Sequence, residues 1–467
     1  MNTVTEHGLS EPQLSIQTDA DTWTLHLPDL LAGYYDALQN PAFLHISTAL
    51  RLSGAVDAGR LEWSFRQFTR RHRVLRSRFV IDADGRRCAL IDDRLEALFR
   101  TEELNGHNVE DTDAALARLE KFVAERFDLA NGPLARMLLL KVSAGDFLMV
   151  LVVHHCVFDW WSGGIALREI LSLYETNDAS SAASLPALPL QFPEFARSRN
   201  RWQESPSASA QLAYWRRRFT GADKPFFLPT DEPELAEPTG NELPVAGNLS
   251  VEMSAALRDL ATQERTGLFI TTLTAFALAL AQWRGHPESY ICVTRNGRTR
   301  APLMNLVGCF FDTWTLRAPW PQRCSFRDAV HIVRDAYTEA LPNFDVPSQL
   351  QMETLSAAAG TLYGATLFNY VNTGKRPATG KPTSPSLRFP SGLRISPFPR
   401  LARTPHMEPS VGTVLTINVV ESGDAVEWWL QHNPAKFRAS TIEKFSAATA
   451  RLLAQGATEA DAPIDGI

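Results

Sequence analysis

The stretch ARMLLLKVSAGDFLMVLVVHHCVFD, residues 135 to 159, limits the possible folds more than any other part of the chain. Two nearly continuous apolar runs, 135–142 and 147–153, flank the turn SAGD, and apolar runs separated by a turn signal predict two paired strands, the second of them buried. The longest purely aliphatic and aromatic run, Phe147 to Val153, is far short of the roughly 20 residues that a membrane span needs. These residues therefore belong in a protein core. At the strand's exit stand His154, His155 and Asp159, and SGGIALREILSLYE then reads as a helix capped by Ser162, with Ala166, Ile170 and Tyr174 on one side. A strand end followed by a short loop and a helix start is a place where reactive side chains are held. The strand fixes position, and the helix N-terminus offers free N–H donors to an oxyanion. Adjacent strand residues point to opposite faces, so one histidine can face a cavity while its neighbour packs into the body and Asp159 turns inward to hold the loop. On the residues alone, a packed or surface position is the commoner reading of two adjacent histidines, and a reactive site is plausible and no more. Metal binding fits poorly, because consecutive strand residues diverge and no second His/Cys cluster lies nearby.

The remaining sequence bounds the setting. A chain of 467 residues has room for two or three domains with filled cores. With 46 basic and 52 acidic residues the net charge is -6, which gives no electrostatic reason to expect nucleic acid or an anionic membrane as partner. The polar opening MNTVTEHGLSEPQLS has no signal-peptide pattern. The five cysteines are scattered and never paired as CxxC, which argues against a disulfide framework or zinc site and fits a reducing cytoplasm. Leu61, Phe65 and Phe68 fall at helical spacing, and the stretch 254–283 reads as two helices broken near Gly267. Strands are expected at SYICVT, ATLFNYVN, TVLTINVV and AVEWWLQH, so both halves are mixed α/β. Residues 176–190, 228–244 and 373–390 have linker composition, and on composition 228–244 is the best lobe boundary.

HHCVFDW resembles the HHxxxDG signature of the condensation-domain family of nonribosomal peptide synthetases, which shares its fold with chloramphenicol acetyltransferase. Its neighbours agree in type and order. RHRVLRSRF (71–79) resembles RHxxLRxxF, NGRTRAPLMNLVGCFFDT (296–313) resembles the segment with Gly-Arg followed by (I/V)GxFVNT, and NFDVP (343–347) resembles HQDxP. The stretches 190–202 and 211–231 are similar to the family's segment after the crossover between lobes, and EWWLQHNPAKFRASTIEKF to its terminal strand and helix. The resemblance implies two acetyltransferase-like lobes, residues 1–185 and 186–467, forming a V-shaped pseudo-dimer with a tunnel between them. It implies that His155 is the catalytic residue, that His154 and Asp159 are structural, and that Asp159 pairs with Arg298. Trp160, Ser162 and Gly163 are expected along the substrate channel.

It further implies no bound cofactor or metal. The acyl group would arrive as a phosphopantetheinyl thioester on an acyl or peptidyl carrier protein acting in trans, because no adenylation or carrier segment follows in the sequence. The protein is expected to be a monomer that transfers the acyl chain to a small soluble alcohol or amine, an ester being favoured, and so releases a polyketide or peptide. Four departures stand out. Trp160 replaces the glycine of the signature, either as a core-packed indole or as a wall of the acceptor channel; Asp312 replaces an asparagine; Asn343-Phe344 replace His-Gln; and the family's opening motif is not recognisable in residues 24–39. The changed acceptor side suggests non-standard substrates. A coenzyme A-dependent acyltransferase, an epimerisation domain and a non-catalytic recruitment module remain as alternatives.

Overall fold

The computed structural model describes residues 22–24, 44–81, 87–104, 112–176, 185–222, 228–231, 244–348, 350–351, 353–354, 365–372, 387–389, 392–398, 413–434 and 436–466. Parts of all three linker-like stretches (177–184, 232–243, and 373–386 with 390) and nearly all of 24–39 lie outside them.

Two six-stranded sheets organise the molecule. In the first, the order is Leu387–Arg388, Arg394–Pro397, His45–Ser53, Asp146–His154, Ala135–Ser143 and Leu98–Glu103. The apolar hairpin of the sequence sits at its centre: Asp146–His154 pairs antiparallel with Ala135–Ser143 on one side and with His45–Ser53 on the other. Leu148 to His154 are all buried, as expected of a strand covered on both faces. The helix Ala58–Arg71 covers one face through Leu61, Phe65 and Phe68, and the Asp57 carboxylate caps its start by accepting the Arg60 N–H.

The second sheet runs Asp312–Pro319, Glu288–Arg295, Ala365–Asn372, Thr413–Ser422, Ala425–His432 and Val245–Asn248. Its core helix, Leu268–Arg284, starts after Gly267, where the sequence breaks the long apolar stretch, and is buried on almost every side between Leu268 and Ala281. Among the described residues, no single helix is long and apolar enough to cross a membrane.

The sheets do not follow the chain in two clean halves. Strands Leu387–Arg388 and Arg394–Pro397 return from the C-terminal part to extend the first sheet, with Ile395 paired to Leu52. Phe192 and Ala196 of the helix Phe192–Gln203, together with Leu306, Val307 and Phe310, join the first hydrophobic core. The loop after His154 therefore has residues from both halves of the chain packed around it.

Candidate active site

The strand Asp146–His154 ends one residue earlier than strict alternation of faces assumes. His154 closes the strand, and His155 opens a single tight turn, His155–Val157. His154 is fully buried beside Phe127, with ring centroids 5.8 Å apart, and beside His45, its partner across the strands, at 6.0 Å. Its Nδ1 accepts the Cys156 N–H at 3.2 Å. His45 donates from Nδ1 to the Val123 carbonyl at 2.7 Å, and the Arg136 guanidinium lies 3.9 Å over the Phe127 ring. Burial first, then this cation, pushes His45 down to about 4. Burial also pushes His154 well below the ordinary imidazole value, with the charges of His45, His155 and Arg136 acting in the same direction. His154 is thus a neutral packing and turn-capping residue.

His155 differs from its neighbour in being partly exposed. Desolvation lowers its basicity, opposed by its own carbonyl, the Asp159 charge and the Phe158 carbonyl. Its Nδ1 lies 3.8 Å from Cys309 Sγ, and the Phe311 ring flanks it at 5.6 Å between centroids.

Asp159 is 4% exposed and its two oxygens are fully engaged. Oδ1 accepts from the Ser162 N–H at 2.8 Å, the Ser162 hydroxyl at 2.8 Å and Arg298 Nη2 at 3.0 Å; Oδ2 accepts from Arg298 Nη1 and from the Phe310 N–H at 3.0 Å. Arg298 also donates to the Ser162 hydroxyl and to the Leu306 carbonyl at 3.1 Å, and its guanidinium stacks 4.2 Å from the Phe310 ring. A buried charge pair is tolerable only when its remaining hydrogen-bonding capacity is met, and here the carboxylate's is. The pair fastens the histidine loop to the segment 296–310. Gly297 allows that approach: it has φ +43, and a Cβ there would collide with the Phe310 carbonyl oxygen.

The helix runs Trp160–Glu175, and its cap is Asp159 rather than Ser162. Both are cap-forming types, but Ser162 lies three residues on and supplies the N–H that the cap accepts. Ser162 is also misplaced as a channel residue. It is fully buried, and its hydroxyl donates within the Asp159 cluster and accepts from the Gly308 N–H at 3.2 Å. Gly163 is buried beneath Thr48 and Phe158. Trp160 is neither core-packed nor strained: it begins the helix and is 65% exposed, so the position needs no glycine. Its neighbour Trp161, 47% exposed, donates from Nε1 to the Met304 carbonyl at 2.9 Å.

The other departures have local structural partners. Asp312 is buried between Arg199 and Arg295, each at 2.5 Å, and accepts the Ser348 N–H at 3.2 Å. An asparagine could not neutralise those two cations, so the substitution ties the helix Phe192–Gln203 to the second sheet. The Asn343 carbonyl accepts from Trp215 Nε1 at 3.0 Å, and Phe344 packs on Trp314. Sequence reasoning missed Cys309 and Phe311 as neighbours of His155. The signal available was their alternation with Phe310 in the segment GCFFD.

A family model described as Condensation domain matches residues 36–467. Among curated proteins, a linear gramicidin synthase component of Brevibacillus parabrevis is 28% identical over 448 residues, covering 95% of this chain and 9% of that protein. Phosphinothricin tripeptide synthetase PhsC of Streptomyces viridochromogenes is 30% identical over 410 residues, covering 87% of this chain and 36% of that protein. The chain thus spans well under half the length of these relatives. Among solved structures, the X-domain from teicoplanin biosynthesis superposes with TM-score 0.79 at 23% identity, covering 98% of this chain and 99% of that one. The SgcC5 protein from Streptomyces globisporus, in complex with (R)-(-)-1-(2-naphthyl)-1,2-ethanediol and sucrose, superposes with TM-score 0.70 at 22% identity, covering 90% and 94%. These likenesses bear on the fold.

Proposed function

The chain belongs to the condensation-domain family, and on that premise we propose that it is an acyltransferase in which His155 directs an acceptor onto a thioester carbonyl. Condensation domains form amide or ester bonds with acyl groups tethered to a carrier's phosphopantetheine, and they use no cofactor of their own. The observation that carries the reading is the contrast at the histidine loop. Asp159 is wholly committed to Arg298, Ser162 and Phe310, while the partly exposed His155 imidazole has no carboxylate hydrogen-bonded to it among the described residues.

Such an imidazole is neutral near pH 7, because desolvation lowers its basicity. The acceptor's O–H or N–H donates to it. As the acceptor attacks, the new C–O or C–N bond forms, the carbonyl becomes a tetrahedral oxyanion, and the proton moves to His155. Collapse breaks the C–S bond, and the proton passes to the departing pantetheine thiolate. General acid–base help of this kind typically supplies about 10²–10⁴-fold. No acyl-enzyme is required, since the thioester is already activated.

The finer reading is a monomer working in trans, in the cytoplasm, on a carrier of a polyketide or peptide synthase and transferring the chain to a small soluble acceptor through a tunnel between the lobes. An alcohol is favoured over an amine, because an alcohol must lose its proton during attack; the diol bound to the similarly folded SgcC5 is in keeping with this. Incubation with acyl-loaded carriers or acyl-coenzyme A, each with matched alcohols and amines, tests it. Ester formed only from carrier-bound donor supports the reading, and product from acyl-coenzyme A alone would replace it with the coenzyme A-dependent one.

A second reading is recruitment of a partner enzyme without turnover. It draws on the likeness to the X-domain, which is also found in a complex with OxyB from teicoplanin biosynthesis. Binding of a partner with no acyl transfer under any donor would favour it.

A further inference from the structure

We propose that a ladder of side-chain amides, Asn369, Asn418 and Gln431, selects the acyl chain, favouring chains that carry hydroxyl or amide groups of their own over plain hydrocarbon. This rests on the acyl transfer proposed above and adds to it the chemical class of the chain.

The second sheet has two unlike faces. Leu415, Ile417 and Val419 on one strand and Val426, Trp428 and Leu430 on the next point into the hydrophobic core beneath the helices. The residues between them, Thr416, Asn418, Trp429 and Gln431, point to the opposite face and are half-buried. Asn369 pairs with Asn418 from the neighbouring strand and shares that face. Its Nδ2 donates to Asn418 Oδ1 at 2.9 Å, and Asn418 Nδ2 donates to Gln431 Oε1 at 3.0 Å.

Strand register carries this ladder toward the histidine loop. Strand Ala365–Asn372 runs parallel to both Thr413–Ser422 and Glu288–Arg295. Leu367 pairs with Cys292 and Phe368 with Val293, so Asn369 stands level with Thr294, which pairs in turn with Thr313. The next pair outward is Arg295 with Asp312, and Phe311, just before Asp312, flanks the His155 ring. Arg298, three residues past Arg295, holds Asp159. The row Thr313, Thr294, Asn369 and Asn418 thus crosses the sheet toward the carboxyl ends of its parallel strands, where open α/β sheets commonly bind ligands, and it begins beside the reactive loop. Three strand spacings make it about 14 Å long, so it meets the far part of a chain whose carbonyl lies at His155.

A side-chain amide has one carbonyl and two N–H donors. The ladder uses one N–H of Asn369, one N–H and the carbonyl of Asn418, and the carbonyl of Gln431. The Asn369 carbonyl and the Gln431 amino group have no partner among the described residues. Hydrocarbon laid over this row would strip water from these groups and return no hydrogen bond, whereas a chain with O–H, N–H or C=O groups replaces the bonds it displaces. A site built to hydrogen-bond its ligand discriminates against an analogue lacking the group more strongly than an apolar pocket discriminates by size.

The test loads a carrier with octanoyl, with a polyhydroxylated chain of the same length, or with a dipeptidyl chain of the same length, and compares kcat/KM for transfer to one soluble alcohol. The wild type is expected to favour one or both polar chains about tenfold or more, the two arms showing whether hydroxyl or amide is read. Asn418→Leu is expected to bring the ratio of polar to octanoyl transfer within about twofold, and Gln431→Leu, at the half-buried end of the ladder, gives the same comparison where Asn418→Leu fails to fold. Equal use of all three chains by the wild type overturns the proposal, as does a loss in the variants that is the same for every chain, which would make the ladder a sheet-stabilising feature only. Failure of the wild type to transfer any chain would instead sink the proposed function. Calorimetric binding of the corresponding non-transferable acyl-pantetheine amides then decides: polar analogues bound about tenfold tighter than octanoyl support the ladder's role, and equal binding overturns it.

Discussion

Removing the charge from both ends of the Asp159–Arg298 pair should cost little more than removing it from one end alone. Arg298→Met leaves a carboxylate that is 4% exposed with three neutral donors: the Ser162 N–H, the Ser162 hydroxyl and the Phe310 N–H. Breaking a buried pair by deleting one partner costs about 3–5 kcal/mol, and the three surviving donors place this case near the lower end, about 3 kcal/mol. Asp159→Asn strands a guanidinium whose side chain is fully buried and still bonded to the Ser162 hydroxyl and the Leu306 carbonyl, for a similar loss. Two independent losses would sum to about 6 kcal/mol, whereas the double variant carries no buried charge and should lose only about 3–4 kcal/mol, a coupling of about 2–3 kcal/mol. Urea unfolding of the four proteins, followed by tryptophan fluorescence, measures this. Additivity within about 0.5 kcal/mol would refute the account of the pair as a mutually dependent clamp on the histidine loop.

Other consequences are sharper in sign than in size. His45 is held at about 4 against an ordinary 6.5, so its contribution to stability is complete above pH 6.5 and is lost as pH falls toward 4; at about 1.4 kcal/mol per pH unit it accounts for a loss of about 2 kcal/mol at pH 5. Denaturant unfolding at pH 7 and pH 5 should show His45→Gln losing correspondingly less than wild type. For turnover, the neutral form of His155 is the working one and its basicity is lowered, so activity should fall on acidification with a midpoint below 6.5; a midpoint above that value contradicts the assignment. Gly297→Ala should destabilise by about 1–3 kcal/mol or more by forcing the Phe310 carbonyl away, with turnover lost alongside, and a variant as stable as wild type in urea would count against the close approach. Trp160→Ala, at an exposed position, should change stability by no more than about 0.5 kcal/mol, which thermal or urea unfolding can check.

The central hairpin and the strands of the second sheet are legible in the sequence because uninterrupted apolar runs and turn residues are local signals; strand Ala365–Asn372 coincides with the stretch ATLFNYVN. The cap of Trp160–Glu175 is harder, since Asp159 and Ser162 are both cap types and only the three-dimensional demand of Arg298 fixes which one turns inward. Strands Leu387–Arg388 and Arg394–Pro397, two and four residues long, are too short for periodicity; the second is defined by pairing with the distant strand His45–Ser53, and the first by pairing with the second. Asp312 illustrates a further limit. As a departure from a motif it suggests altered substrates, yet its partners Arg199 and Arg295 come from a helix and a strand that no local pattern connects to it.

The most direct measurement follows the mass of a carrier protein loaded with an acyl-phosphopantetheine thioester in the presence of a soluble acceptor. Wild-type protein should return the carrier to its free-thiol mass while an acyl-acceptor product accumulates in equal amount, and His155→Ala should slow both by about 10²-fold or more at unchanged fold stability. Equal rates for the two proteins would contradict the claim that the His155 imidazole drives the transfer.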